Sequence, residues 1–151
     1  MAGDLLHDHF GKLHASHVAA LTRHLVECRK AFGGDLDLFL VMTIIGERTF
    51  TARNAPDTMT HDDFLQGSVS DLEPAAINLQ SIADYSGIPR ETVRRKLETL
   101  LAMGWIARDK NRFMTVTDQA KRSLQPLTDS SLRYMREVFT MLAASARSGP
   151  G

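Results

Sequence analysis

Apolar residues recur at three- and four-residue spacing from Asp4 to about Phe32. Leu6, Phe10, Leu13, Leu21, Leu25 and Cys28 line up while Lys12, Ser16, Arg23 and Lys30 fall opposite, which predicts one long amphipathic helix. Gly33 and Gly34 end it, since glycine takes a left-handed turn without steric cost, and Asp35 is placed to cap the next helix. That helix, DLDLFLVMTIIGERTF, is apolar nearly all round in its middle and predicts a central buried element. Asn78 caps a short helix, LQSIADYS; Gly87 ends it and Ile88-Pro89 turns the chain. A second helix runs from Arg90 to Met103 and stops at Gly104. WIARDKNRFMTVT reads as two short strands around the turn Asp109-Lys110-Asn111. Thr117 then caps a last helical region, Asp118 to about Ala144, with Pro126 marking a break or bend.

The stretch 54–76 interrupts this pattern. It holds Pro56, Pro74, Gly67 and five acids (Asp57, Asp62, Asp63, Asp71, Glu73) with no Lys or Arg, and Thr60 and Asp63 stand at capping-box spacing for one helical turn. The chain therefore divides into an N-terminal helical region 1–53, an acidic linker 54–76, a central unit 77–117, a C-terminal helix 118–146 and a Gly/Pro-rich tail 147–151. The expected class is mainly α with a small β-hairpin wing.

Composition narrows the chemistry by exclusion. Lys plus Arg and Asp plus Glu are 18 each, so whole-chain charge gives no push toward nucleic acid, membrane or acidic substrates, and any charge argument is local. The 151 residues suit one ordinary domain with a core of its own. A single cysteine, Cys28, excludes an internal disulfide framework and suits a reducing cytoplasm. The first residues lack a basic and then apolar leader, and no run is long enough to span a membrane, so a cytoplasmic protein is expected. Nucleophile-elbow, phosphate-loop, H-E-x-x-H and paired-cysteine zinc motifs are all missing, so neither catalysis nor a cofactor is expected.

The informative stretch is GIPRETVRRKLETLLAMGWI. On a helical wheel Val93, Leu97, Leu100 and Leu101 share one face, and Glu91, Thr92, Arg95, Lys96 and Thr99 spread over the other. A charged amphipathic helix alone is commonplace. Here it follows a capped helix and a tight glycine turn and precedes a basic hairpin, which is the layout of a winged helix-turn-helix whose second helix enters the major groove. Arg90 and Arg95 suit bidentate donation to guanine, Glu91 acceptance from cytosine N4, and Thr92 a thymine methyl or a phosphate. Arg94, Lys96 and Thr99 complete the candidate DNA-binding set on the helix, and Arg108, Lys110 and Arg112 supply it from the wing. Residues 88–122 hold nine Lys/Arg against four acids, an excess of five on a neutral chain, which is the footprint of a phosphate-facing surface.

The segment INLQSIADYSGIPRETVRRKLETLLAMGWIARDKNRFMTVT resembles the DNA-binding domain of Crp/Fnr-type regulators, above all their S-R-E-T-V-x-R recognition helix. That resemblance implies base-reading roles for Arg90, Glu91 and Arg95; Pro89 stands where the family often has serine, removing a hydroxyl cap. Residues 1–76 lack the strand pattern of a cyclic-nucleotide-type barrel. The order of elements along the whole chain is instead similar to MarR-type regulators, which implies that the first and last helices pair across a two-fold axis. Independently, the stripe Leu132, Met135, Val138, Phe139 and Leu142 joins the first helix in offering more apolar surface than a small winged unit covers. The expected partners are double-stranded DNA and a second copy, with room for a small-molecule effector; a winged-helix protein-interaction module and a small-molecule or metal-responsive sensor are the competing readings.

Histidines cluster early. His7, His14, His17 and His24 share a face with Phe10, Leu13 and Leu21; His14 and His17 are the best metal pair, but hydrogen-bonded interface side chains explain them more simply, so no metal site is expected. Cys28 reads as a small buried hydrophobe, the methionines as core filling, and Trp105 as an anchor for the base of the wing.

Overall fold

The computed structural model describes residues 2–51, 56–69 and 76–149, and its chain divides into two compact units. The acids Asp71 and Glu73, with Pro74 and the last two tail residues, lie outside the described residues.

The first unit comprises Met1–Gly33 and Pro126–Gly151. It is built from α1 (Ala2–Asp8), α2 (Phe10–Ala31) and the long α8 (Gln125–Ser148). The single helix expected from Asp4 to Phe32 is broken at His9, whose φ is −112° and ψ 24°. His9 N still donates to Leu5 O, and Leu13 N to His9 O, both at 3.1 Å. Because the turn gives up none of these bonds, apolar periodicity continues through it and does not reveal it. Across the unit, Arg23 ion-pairs with Glu137, His24 Nδ1 lies 2.9 Å from Ser130 Oγ, and His17 Nδ1 lies 2.7 Å from Tyr134 Oη. Cys28 is fully buried with Sγ 3.6 Å from His24 Nε2. Burial lowers the pKa of His24 and raises that of Cys28, so both favour their neutral forms. Leu6, Phe10, Val18, Leu25, Val26, Met135 and Phe139 remain exposed.

The second unit, Gly34–Gln125, carries the winged element. Its helices are α3 (Leu36–Thr49), α4 (His61–Gln66), α5 (Leu79–Ser86), α6 (Arg90–Ala102) and α7 (Asp118–Ser123); strands β1 (Ile106–Arg108) and β2 (Met114–Val116) pair antiparallel with Ala107 opposite Thr115. Asp35 caps α3 as its position suggests, its Oδ1 accepting from Leu38 N at 2.8 Å. α3 packs on α5, α6 and β2 and so belongs to the core of this unit. It is not buried all round: Val41, Met42, Ile44 and Ile45 face inward while Leu36 and Leu40 are exposed. The helical region after Thr117 is likewise split at Leu124. α7 stays with the winged unit, and Pro126 sits in the first turn of α8, where its missing N–H costs nothing.

Polar contacts fasten the strands and the segment after α4 to the rest of this unit. The buried Thr49 hydroxyl donates to Ile45 O at 2.9 Å and accepts from Val116 N at 3.1 Å; Met114 N donates to Ile77 O at 3.1 Å. The outer edge of β2 is thereby satisfied from two sides. α4 has the Thr60/Asp63 capping box, and the residues after it are tied to α7. Asp118 accepts from Ser68 Oγ at 2.8 Å and Val69 N at 2.7 Å, and Lys121 Nζ donates to Phe64 O at 2.9 Å and to Gly67 O. Lys121, counted from sequence among the outward basic residues, is therefore buried and satisfied by backbone carbonyls.

Candidate nucleic-acid interface

Asn78 starts α5 by accepting from Ser81 N at 3.0 Å, and Gly87 ends it at φ 75°, where glycine is required by conformation and not by crowding. Ser86 Oγ then accepts from Ile88 N at 3.1 Å, and Pro89 (φ −53°, ψ 139°) starts α6 without a side-chain cap. Ile82, Ala83 and Ile88 are buried together with Val93, Leu97 and Leu100, and α5 packs on α6. Pinned by these three residues, α6 turns its opposite side outward: Arg90, Glu91, Arg94, Arg95 and Thr99 are exposed and Thr92 and Lys96 partly so. Leu101, placed on the buried stripe from sequence, is only partly covered.

Hydrogen bonding sorts this row. Arg90 and Arg95 have no side-chain partner among the described residues. Arg94 is committed within its helix: Nε donates to Glu91 Oε2 at 2.9 Å, Nη2 to Glu91 Oε1 at 2.5 Å, and Nη1 to Glu98. The Arg94 hydrogen bond holds the Glu91 carboxyl below its ordinary pKa, helped by the charges of Arg94, Arg95 and Arg90. Lys96 is diverted inward, Nζ donating to Asp35 Oδ2 at 2.6 Å with its side chain 23% exposed. Partial burial pushes the Asp35 carboxyl up, but the bonds from Lys96 and Leu38 N outweigh it and leave its pKa lowered. Thr99 Oγ1 donates to Arg95 O at 3.1 Å, keeping oxygen lone pairs for an outside donor.

The tip of the wing is longer than a three-residue turn and carries its own hydrogen bonds. The strands stop at Arg108 and resume at Met114, and Asp109 organises the residues between: its N donates to Phe113 O at 2.9 Å, its Oδ1 accepts from Asn111 N at 2.8 Å and Phe113 N at 3.0 Å. Arg112 takes the left-handed conformation at φ 65°. With Asp109 engaged by backbone, the side chains of Arg108, Lys110 and Arg112 are exposed and without partners among the described residues. Trp105 is half-buried at the foot of β1. The sequence reading overlooks Tyr85, 62% exposed in the last turn of α5. Its position away from the Ile82–Ala83 side was the available signal.

The metal candidates His14 and His17 are neighbours, with ring centroids 6.4 Å from each other, but His14 stacks on Phe10 and His17 Nδ1 is engaged by Tyr134 Oη. Among the described residues no group of three or more His, Cys, Asp or Glu side chains comes together, and no helix is long and apolar enough to cross a membrane.

Residues 72–110 match the family model described as the IclR helix-turn-helix domain. The match spans the two helices and the first strand of the wing, so the chain contains a segment similar to an IclR-type DNA-binding domain, which supports a winged helix-turn-helix transcription regulator. The Crp/Fnr-type likeness of the recognition-helix segment and the MarR-type likeness in element order are not confirmed. No curated protein and no solved structure matches the chain.

Proposed function

We propose that the protein is a sequence-specific transcriptional regulator of the cytoplasm that binds double-stranded DNA as a homodimer. α6 lies in the major groove and the wing follows the backbone. The observation that carries this reading is the pair Arg90 and Arg95, without a side-chain hydrogen bond or ion pair among the described residues, on the outward face of a helix whose reverse side is fixed by fully buried Val93, Leu97 and Leu100. A rigid helix presenting uncommitted guanidinium groups suits bidentate contact with guanine. Arg108, Lys110 and Arg112 add phosphate or minor-groove contacts, and Tyr85 is placed for a sugar or phosphate. Glu91 and Thr92 read neighbouring bases; Thr99 accepts from a donor further along the groove. Lys96 contributes by fastening α6 to the start of α3. Dimerisation is supported by the exposed apolar residues of the first unit, since surface of that kind on a helical pair marks an interface. A two-fold pair presents two recognition helices to a palindromic site.

The test is titration of duplex DNA at several salt concentrations. Arg95→Ala is expected to lose about 1–3 kcal/mol for the preferred site and to relax base preference. Lys110→Ala is expected to weaken all sequences alike and to lower the salt slope by about 1. Parent protein that binds no duplex at low salt refutes the reading; an Arg95→Ala variant that matches the parent refutes direct readout.

A further inference from the structure

Arg94 occupies a position from which the sequence suggests a DNA contact, yet its guanidinium is taken up inside its own helix. We propose that Arg94 is a positioning residue, presenting the carboxylate of Glu91 for base readout without meeting DNA itself; this rests on the DNA-binding reading above. Nε and Nη2 hold both Glu91 oxygens side-on while Nη1 reaches Glu98 one turn further along. This fork fixes the plane of a carboxylate in a way that a single ammonium does not. The spacing supplies both grips, since residues three and four apart share a helix face. Glu91 stands in the first turn of α6, the part of a recognition helix that meets base edges. There an unneutralised carboxylate is repelled by phosphates, and one protonated or freely rotating selects poorly. Each Glu91 oxygen keeps a lone pair beyond its bond to Arg94, enough to accept from an exocyclic amino group such as cytosine N4. The charged groups acting on Glu91 among the described residues belong to its own helix: Arg94, Arg95 and Arg90, with Glu98 beyond Arg94. The Arg94 contact keeps Glu91 ionised on acidification.

The experiment compares full-length parent, Glu91→Gln, Arg94→Gln, Arg94→Lys and the Glu91→Gln/Arg94→Gln double variant on a panel of site variants, at two pH values and several salt concentrations. Glu91→Gln defines the base pair that Glu91 reads. Arg94→Gln is expected to lower preference at that same base pair by about five-fold or more while leaving other positions unchanged. The double variant should lose no more than either single one, and Arg94→Lys should restore preference only in part. Near pH 4, below the ordinary glutamate pKa, the parent keeps more of its preference than the lysine variant does. Uniform weakening across all sites by Arg94→Gln, with the salt slope lower by about 1 and additive losses in the double variant, identifies a phosphate contact and overturns the proposal. So does a Glu91→Gln variant with parental base preference. Failure of the parent itself to bind duplex DNA is a separate result that removes the function proposed above.

Discussion

Replacing Thr49 with valine tests whether the wing is held from behind as the hydrogen bonds indicate. The two side chains have nearly the same shape, so packing around this fully buried position is kept and the hydroxyl alone is lost. Val116 N, 3.1 Å from Thr49 Oγ1, is left without that acceptor at a residue only 5% exposed. Strand pairing offers no substitute. Trp105 O is taken by Thr117 N, and Val116 faces Ile106 across the ladder with its N–H turned toward α3. An orphaned buried donor costs about 1–3 kcal/mol, whereas the lost bond to Ile45 O is an internal helix contact of little weight. Thr49→Ser is the control: it keeps the hydroxyl and gives up one methyl, about 0.8 kcal/mol. Urea unfolding should therefore rank parent above Ser above Val, with unchanged m-values, and amide exchange at Val116 should accelerate most in the valine variant. A valine variant as stable as the parent, with Val116 still protected, refutes the account.

Further outcomes follow from the remaining contacts. Lys96→Met should lower the urea midpoint by an amount worth about 0.5–1 kcal/mol for a partly screened pair while leaving the salt slope of DNA binding unchanged; a fall in slope would return Lys96 to the phosphate-contacting set. Asp118 has its pKa lowered by the bonds from Val69 N and Ser68, so its contribution is complete above the ordinary carboxylate pKa and vanishes as pH falls through the folded-state value. The stability gap between parent and Asp118→Asn, followed by urea unfolding from pH 7 to pH 2.5, should shrink below about pH 4; a constant gap would contradict this. Phe139, 65% exposed, is the test of dimerisation: Phe139→Asp should shift sedimentation toward monomer without loss of helix content, and an unchanged species would place the interface elsewhere.

Local chemistry made much of the fold legible. Asp35, Asn78 and Thr117 accept from the first helical turns as their positions predict, the Thr60/Asp63 box forms, and Gly87 takes the left-handed turn. These features need only neighbours in sequence. The outward face of α6 was legible for the same reason, through the spacing of the buried Val93, Leu97 and Leu100. What escaped depends on partners far along the chain. Lys96 meets Asp35 across 61 positions and Lys121 meets Gly67 across 54, so two cations that look outward in a charge count are spent internally. The alliance of Arg94 with Glu91 and Glu98 was within reach of the sequence, being local, but a net-charge count hides it. The neighbours of α3 were not legible, because a helix apolar through its middle does not announce what will cover it.

The division of the chain bears on how the molecule is made. The winged unit is one uninterrupted stretch, whereas the helical unit is closed by contacts such as His17 to Tyr134, 117 positions apart. Joining ends separated by so much chain carries a loop-closure cost that a folded insert reduces. During synthesis the winged unit can complete its core before α8 has left the ribosome, while α2 waits. Closure of the helical pair can then come last, once the winged unit already has its core.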